Sequence, residues 1–250
     1  MQTMDTSNYK IEHKSNFKLS DIKTNQTGSF DSKDDAQKQL VENIQRMSEL
    51  QSKLYAQNKY ALLIIFQAMD TAGKDGAIKH VMSGMNPQAT HVHSFKQPSD
   101  EELDHDYLWR ASKNLPERGQ IGIFNRSYYE DVLVVRVHNL LKSQQMPSEL
   151  IKDTIWKDRF RQIQDYEQYL YENGTIVIKF FLHISKNEQK KRLLDRIEDK
   201  TKNWKFAAAD LYERKYWDTY QQYYQETISE TSTKQSPWFV IPSDKNGIRD

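Results

Sequence analysis

Apolar positions fall into two periodic patterns that alternate along the chain. Leu40, Val41, Ile44, Met47, Leu50 and Leu54 recur at helical spacing and form one stripe, which predicts a helix over 33–58. Residues 60–66 (YALLIIF) then form a short, uninterrupted apolar run, as a strand buried on both faces requires. Three similar runs lie at 90–95, at 121–124 behind the turn signal Glu117-Arg118-Gly119, and at 175–182 behind Asn173-Gly174. A weaker one, 238–241, sits between Pro237 and Pro242. Amphipathic helices are expected over 148–172 and 208–230, and Ser99 with Glu102 and Ser185 with Glu188 have capping-box spacing. The stretch 130–137 is ambiguous by period and is read as helix, because it runs on from a strand and turn. Strand and helix alternate throughout, so the fold class is α/β: a parallel sheet with helices on both faces. Residues 1–32 carry few apolar anchors and are expected to be a polar arm lying loosely on the surface, with 33–250 as a single domain.

Composition narrows the function classes. The 250 residues include 36 Lys and Arg against 35 Asp and Glu, a net charge of +1, which argues against a basic coat for nucleic acid. Cysteine is absent, so disulfides, thiolate metal sites and cysteine nucleophiles are excluded. The first ten residues lack the basic and apolar regions of a signal peptide, and no apolar run approaches the roughly 20 residues of a membrane span. A soluble, cytoplasmic protein with no membrane or nucleic-acid partner is expected. The histidines lack metal-ligand spacing apart from His91 and His93, two apart on one strand, and no zinc site is expected there.

The first buried run leads into Ala68-Met69-Asp70-Thr71-Ala72-Gly73-Lys74-Asp75-Gly76, with a helix predicted from about Asp75. A strand, a tight glycine turn and a helix N-terminus make a place for phosphate. The first N–H groups of a helix are unpaired and its dipole adds about half a positive charge. The amides of Thr71, Ala72 and Gly73 are candidate phosphate contacts, and Lys74 adds a full charge. The usual phosphate-loop spacing is G-x-x-x-x-G-K-[ST]; here Ala68 replaces the first Gly and Asp75 the hydroxyl residue. An acid inside an anion cradle repels phosphate unless a cation lies between them. Asp70 and Asp75 are therefore candidate ligands for Mg2+, with Mn2+ as a substitute. The competing reading of Asp75 is a first-turn acid complementing the helix dipole.

The run 121–124 ends in Asn125-Arg126-Ser127-Tyr128-Tyr129-Glu130-Asp131. Strand ends of a parallel sheet line the crevice where ligands bind. Asn125 offers a neutral oxygen ligand or a helix cap. Arg126 offers a planar fork to phosphate oxygens, or a surface ion pair with Glu130.

The chain resembles the polyphosphate kinase 2 family in a series of long words in order. They are QAMDTAGKDGAIKHVMSGMNPQ, SFKQPSDEELDHDYLWR, LPERGQIGIFNRSYYEDVLVVRVH, KFFLHISKNEQKKRLLDRIED, NWKF, ERKYWDTY and TSTKQSPWFVIPSD, spread over roughly 36–245. The forms D-x-A-G-K-D and F-N-R-S-Y-Y-E resemble its class III branch, which acts on both AMP and ADP. The resemblance implies a P-loop kinase-like three-layer sandwich with a helical lid over about 186–215. It also implies inorganic polyphosphate and a nucleotide (AMP, ADP or ATP) as substrates, Mg2+, and a homo-oligomer, dimer or tetramer. It places Glu130 and Asn114, with Asn125, on the nucleotide side. Two departures stand out: Ala68 for the family's usual Gly, and a C-terminus at 243–250 where relatives continue into a further helix.

Charge is concentrated in 186–205, which holds eight Lys and Arg against four acids. A basic segment beside a phosphate loop suits a lid that closes over phosphates and excludes water. Arg192 and Arg196 share a helix face and are assigned to phosphate; Lys190 and Lys200 are read as solvated. Trp204 is read as a lid anchor or a base-stacking platform. Lys79, Lys96, Arg118 and Lys179 complete the candidate cations for a chain that carries about one negative charge per phosphate, by analogy with nucleic acid. Asp70, Lys74 and Arg126 are the expected catalytic residues. Two rivals remain at this stage: an ATP-dependent nucleotide kinase of the same architecture, and a non-catalytic polyphosphate binder.

Overall fold

A computed structural model describes residues 6–13, 16–27, 32–201, 203–205 and 208–245. In chain order the elements are β1 (Lys10–Ile11), α1 (Lys33–Gln57), β2 (Ala61–Ala68), α2 (Lys74–Val81), β3 (Thr90–Ser94), α3 (Asp100–Leu103) and α4 (Trp109–Ser112). They continue with β4 (Ile121–Asn125), α5 (Val134–Val137), α6 (Ile155–Glu172), β5 (Thr175–His183), α7 (Lys186–Glu198), α8 (Ala208–Glu213), α9 (Trp217–Thr231) and β6 (Trp238–Pro242). Among the described residues there is one six-stranded sheet, ordered β1-β6-β5-β2-β4-β3. Every pairing is parallel except that of β1 with β6.

The five expected strands are all present: β2, β4 and β5 are runs largely buried within the sheet, whereas β3 is an edge strand with Val92 54% exposed. Leu63, Ile65, Ile123, Phe124 and Phe181 are fully buried. On one face α6 and α9 cover the odd-numbered residues of β5, with Phe181 packed on Tyr224 at a ring separation of 4.5 Å. On the other face Phe66, Phe180 and Phe239 lie in register across three strands, their rings 5.4 and 5.6 Å apart. The sheet has its topological reversal at β2, which is flanked by β4 and β5. The crevice at the carboxyl ends of such neighbouring strands is where ligands bind in this architecture.

Four expectations are corrected. The arm is not loosely held where it is described: β1 extends the sheet, Ile11 and Leu19 join the core, and the Leu19 carbonyl accepts from His183. A two-residue strand has too little periodicity to be seen in sequence. Residues 1–5, 14–15 and 28–31 of the arm, and residues 246–250, lie outside the described residues. The helix expected from 148 begins at Ile155, because Ile151 packs with Val135, Leu141 and Ile155 in a satellite cluster. The helix expected over 208–230 breaks at Arg214–Tyr216, where Arg214 reaches back to the Lys186 carbonyl and Gln189 Oε1, both at 2.9 Å. The stretch 130–137 is a 3-10 turn (Tyr128–Val132) and then α5, interrupted where Arg159 takes the Asp131 carbonyl at 2.7 Å.

Candidate active site

The loop after β2 forms because its backbone turns sharply twice. Thr71 has φ +65° and Gly73 φ +101°, both left-handed. Gly73 adopts this without a Cβ penalty and caps α2. Ala68 is the last residue of β2, paired in regular register with Leu182 and outside the left-handed positions, so a side chain fits there. The Ala72 N–H, expected to meet phosphate, instead donates to the Met69 carbonyl at 3.2 Å and closes the turn. The amides at the start of α2 lie at the carboxyl edge of the sheet. Lys74 folds back to the Ala68 carbonyl at 3.3 Å. Burial and the neighbouring Arg126 cation lower the pKa of this lysine below the ordinary lysine value.

The second tip, after β4, is in register with the first. Asn125 lies beside Phe66, and the Arg126 N–H donates to the Phe66 carbonyl at 3.0 Å. Arg126 is itself left-handed, at φ +64°. Its Nη2 donates to Asp70 Oδ1 at 2.9 Å and its Nη1 lies 3.4 Å from Glu130 Oε2. The charges of Glu130 and Asp70 raise the pKa of the guanidinium against the cost of burial. Its side chain keeps 40% exposure, so the guanidinium is not withdrawn from water. Asn125 Nδ2 donates to Asp75 Oδ1 at 2.8 Å. Asn125 is thus a partner of Asp75, and both competing readings of Arg126, phosphate fork and pair with Glu130, are compatible in one geometry.

The basic segment closes one side. Gln189 Nε2 donates to the Asp70 carbonyl at 3.1 Å. Arg192 Nη1 donates to the Thr71 carbonyl at 3.1 Å, its Nε to Glu188 at 2.9 Å and its Nη2 to the carbonyls of Ser243 and Asp244. Arg192 therefore braces the phosphate loop, where the sequence reading had it binding phosphate directly. Arg196 Nη1 donates to Asp210 Oδ2 at 3.0 Å and ties α7 to α8. Burial and the charge of Asp70 raise the pKa of Asp210. Trp204 is 78% exposed; residues 202, 206 and 207 of the expected lid lie outside the described set.

Three candidates are placed elsewhere. Lys179 does not meet a phosphate: it is fully buried in β5, facing α6 and α9, with Nζ 2.5 Å from Glu167 Oε2. Strand alternation turns it into a sheet face, four residues short of the strand's carboxyl end. Arg118 precedes β4 and donates to the Lys59 carbonyl at 2.7 Å, at the amino ends of the strands. Asn114 donates to the Arg110 carbonyl at 2.7 Å, in a recess with His91, His93 and Gln120 on the outer part of the sheet. Lys96 is exposed just past β3, on the crevice side, and Lys79 is exposed in the last turn of α2. The sequence reading missed a cluster that tertiary packing brings beside Arg126. Glu213 accepts from Tyr220 at 2.9 Å and lies 3.0 Å from His138 Nε2. These residues come from α8, α9 and the end of α5, and no local motif joins them.

An amide cradle at a helix N-terminus, a lysine inside it and an arginine from the neighbouring strand tip define a P-loop-type phosphotransferase. Residues 30–250 match the profile of the polyphosphate kinase 2 (PPK2) family, and the chain belongs to that family. It is 54% identical over 217 residues to an ADP-polyphosphate phosphotransferase of Rhodopseudomonas palustris, covering 86% of this chain and 75% of that one. It is 43% identical over 243 residues to an AMP/ADP-polyphosphate phosphotransferase of Meiothermus ruber, covering 97% and 87%. Its fold superposes on the crystal structure of polyphosphate kinase 2 from Arthrobacter aurescens with a TM-score of 0.90, at 39% identity over 98% of this chain and 84% of that one. No helix among the described residues is long and apolar enough to cross a membrane.

Kinases of this family depend on a divalent metal. The donor set here fits one that phosphate completes. Among the described residues no three metal-ligating side chains cluster, while Asp70 and Asp75 each have one oxygen engaged by Arg126 or Asn125. One or two carboxylates plus substrate oxygens is the usual arrangement for Mg2+.

Proposed function

We propose that this enzyme transfers the terminal phosphoryl group of inorganic polyphosphate to ADP and AMP, reversibly and with Mg2+, Mn2+ serving as a substitute. The observation that carries the reading is the Arg126–Asp70 pair set at the mouth of the amide cradle. An anionic oxygen of the nucleotide's last phosphate attacks the terminal phosphorus of the chain. A new P–O bond forms, the bridging P–O bond breaks, and the polyphosphate leaves one unit shorter with the electron pair on its terminal oxygen. The attacking oxygen is already anionic, so no strong general base is required and positioning with charge neutralisation dominates. Lys74 and the amides of Thr71 and Gly73 hold phosphates beside the transferred group. Arg126 stabilises its charge. Asp70 and Asp75 would hold the metal, which when bound neutralises phosphate charge. Glu130, through Arg126, and Asn125, through Asp75, orient that set. Lys96, with Lys79 further out, supplies cations along the polyphosphate.

The family resemblance and the names of the two relatives support the donor, and the word FNRSYYE supports acceptance of AMP as well as ADP. A homo-oligomer, dimer or tetramer, working in the cytoplasm belongs to the same reading. One assay tests the reading: ATP formed from ADP, polyphosphate and Mg2+, repeated with AMP and read as ADP and ATP. Formation of product from both acceptors is expected. Product only when ATP replaces polyphosphate as donor would assign an ordinary nucleotide kinase, and binding without turnover would assign a non-catalytic polyphosphate binder.

A further inference from the structure

The fully buried lysine in β5 has a use that its position alone does not reveal. Glu167 on α6 is also buried, and its Oε1 accepts from the hydroxyls of both Tyr128 and Tyr129 at 2.8 Å. Its Oε2 accepts from Lys179 Nζ at 2.5 Å. The same Nζ donates to Tyr129 Oη at 3.1 Å and to the Thr231 carbonyl at 2.8 Å. A carboxylate has about four lone-pair sites, so one group satisfies two phenols and an ammonium together. Burial, with the Glu167 charge beside them, raises the pKa of both phenols, so they remain donors.

Burying an ion pair is costly, and a well-packed apolar replacement is often no less stable. Its placement is therefore informative. Tyr128 and Tyr129 directly follow Arg126-Ser127. That turn holds Arg126 at φ +64°, a left-handed conformation that strains any residue with a Cβ. Such strain persists only where the surroundings over-determine it. From β2 the turn is held by the Arg126 N–H on the Phe66 carbonyl and by Gln67 Nε2 to Ser127 Oγ at 3.3 Å. From behind it is held by Glu167.

We infer that Glu167 and Lys179 are positioning residues for phosphoryl transfer: their buried pair anchors Tyr128 and Tyr129, and through them keeps Arg126 in the left-handed turn that aims its guanidinium into the crevice. The inference rests on the role of Arg126 given above.

The test removes two hydroxyls and no rings. Tyr128→Phe with Tyr129→Phe is expected to lower kcat roughly tenfold or more, the scale of a misplaced transition-state group, with KM for ADP within about twofold. Glu167→Gln and Lys179→Met should move kcat in the same direction. Thermal denaturation gives the folded fraction to which kcat is referred. If the double variant does not fold, Tyr128→Phe alone, which leaves Lys179, Glu167 and Tyr129 connected, takes its place. The deciding arm is a double-mutant cycle: in an Arg126→Ala background the tyrosine changes should cost no further kcat. An unchanged kcat per folded molecule, or an equal loss with and without Arg126, would make the network structural only and overturn the inference. If Arg126→Ala itself leaves kcat unchanged, the assignment of Arg126 falls, and this inference with it.

Discussion

Arg126 Nη2 lies 2.9 Å from Asp70 Oδ1, joining the tips of two neighbouring parallel strands whose residues are 56 positions apart. The pair sets a cation and an acid side by side at the opening of the phosphate cradle. Neither side chain is fully withdrawn from water, at 40% and 27% exposure, so both remain available to a substrate. An exposed pair of this kind contributes little to stability. In the proposed function its value is the placing of charge where charge develops during transfer.

Removing that charge has a direct consequence. Lys74→Ala and Asp70→Asn should each lower turnover of ADP with polyphosphate by roughly 10²-fold or more, the scale of losing a preorganised charge. Steady-state kinetics on the purified variants checks this, and near-normal turnover in Asp70→Asn would reject its role.

Backbone strain at Arg126 separates chemistry from folding. Arg126→Gly and Arg126→Ala both lose the fork and should lose activity by roughly 10²-fold. The glycine variant is free of the Cβ penalty at φ +64° and should melt higher than the alanine variant, by about 1 kcal/mol in stability. Calorimetry of the two proteins gives the order; a higher melting temperature for alanine would show that the turn relaxes.

Asp131 is buried next to Arg159, and burial outweighs that cation and raises its carboxyl to about 6 from 3.8. The folded state therefore binds the proton more tightly than the unfolded chain. The contribution of Asp131 is greatest below about pH 4 and is lost as pH rises to about 6, on the order of 3 kcal/mol in all. Asp131→Asn should gain on the wild type in melting temperature over that window and then hold a constant difference. A difference that does not vary between pH 4 and 6.5 would refute the raised value.

Glu213 latches α8 through His138 at 3.0 Å and Tyr220 at 2.9 Å. Glu213→Ala should release the helix, seen as roughly tenfold faster amide exchange over 208–213, the scale of one or two lost hydrogen bonds. Exchange there at the wild-type rate would mean that Arg196–Asp210 alone holds α8.

The sequence by itself determined five strands, the alternation with helices and the loop 70–75, because each is written in contiguous residues: runs of strand length, and a glycine turn before a helix start. It also brought out Arg126, since a strand tip is local information. Tertiary structure decided which cations face the crevice. Arg118 and Lys96 both flank strands, yet one precedes its strand and the other follows, so they lie at opposite ends of the sheet. Lys179 looked like any basic strand residue, and only the packing of α6 and α9 turned it into a buried partner of Glu167. Arg192 became a brace because the phosphate loop and the end of β6 converge on it from opposite parts of the chain. Charge is a property of the residue; what that charge meets depends on contacts between segments far apart in sequence, which periodicity and spacing do not encode.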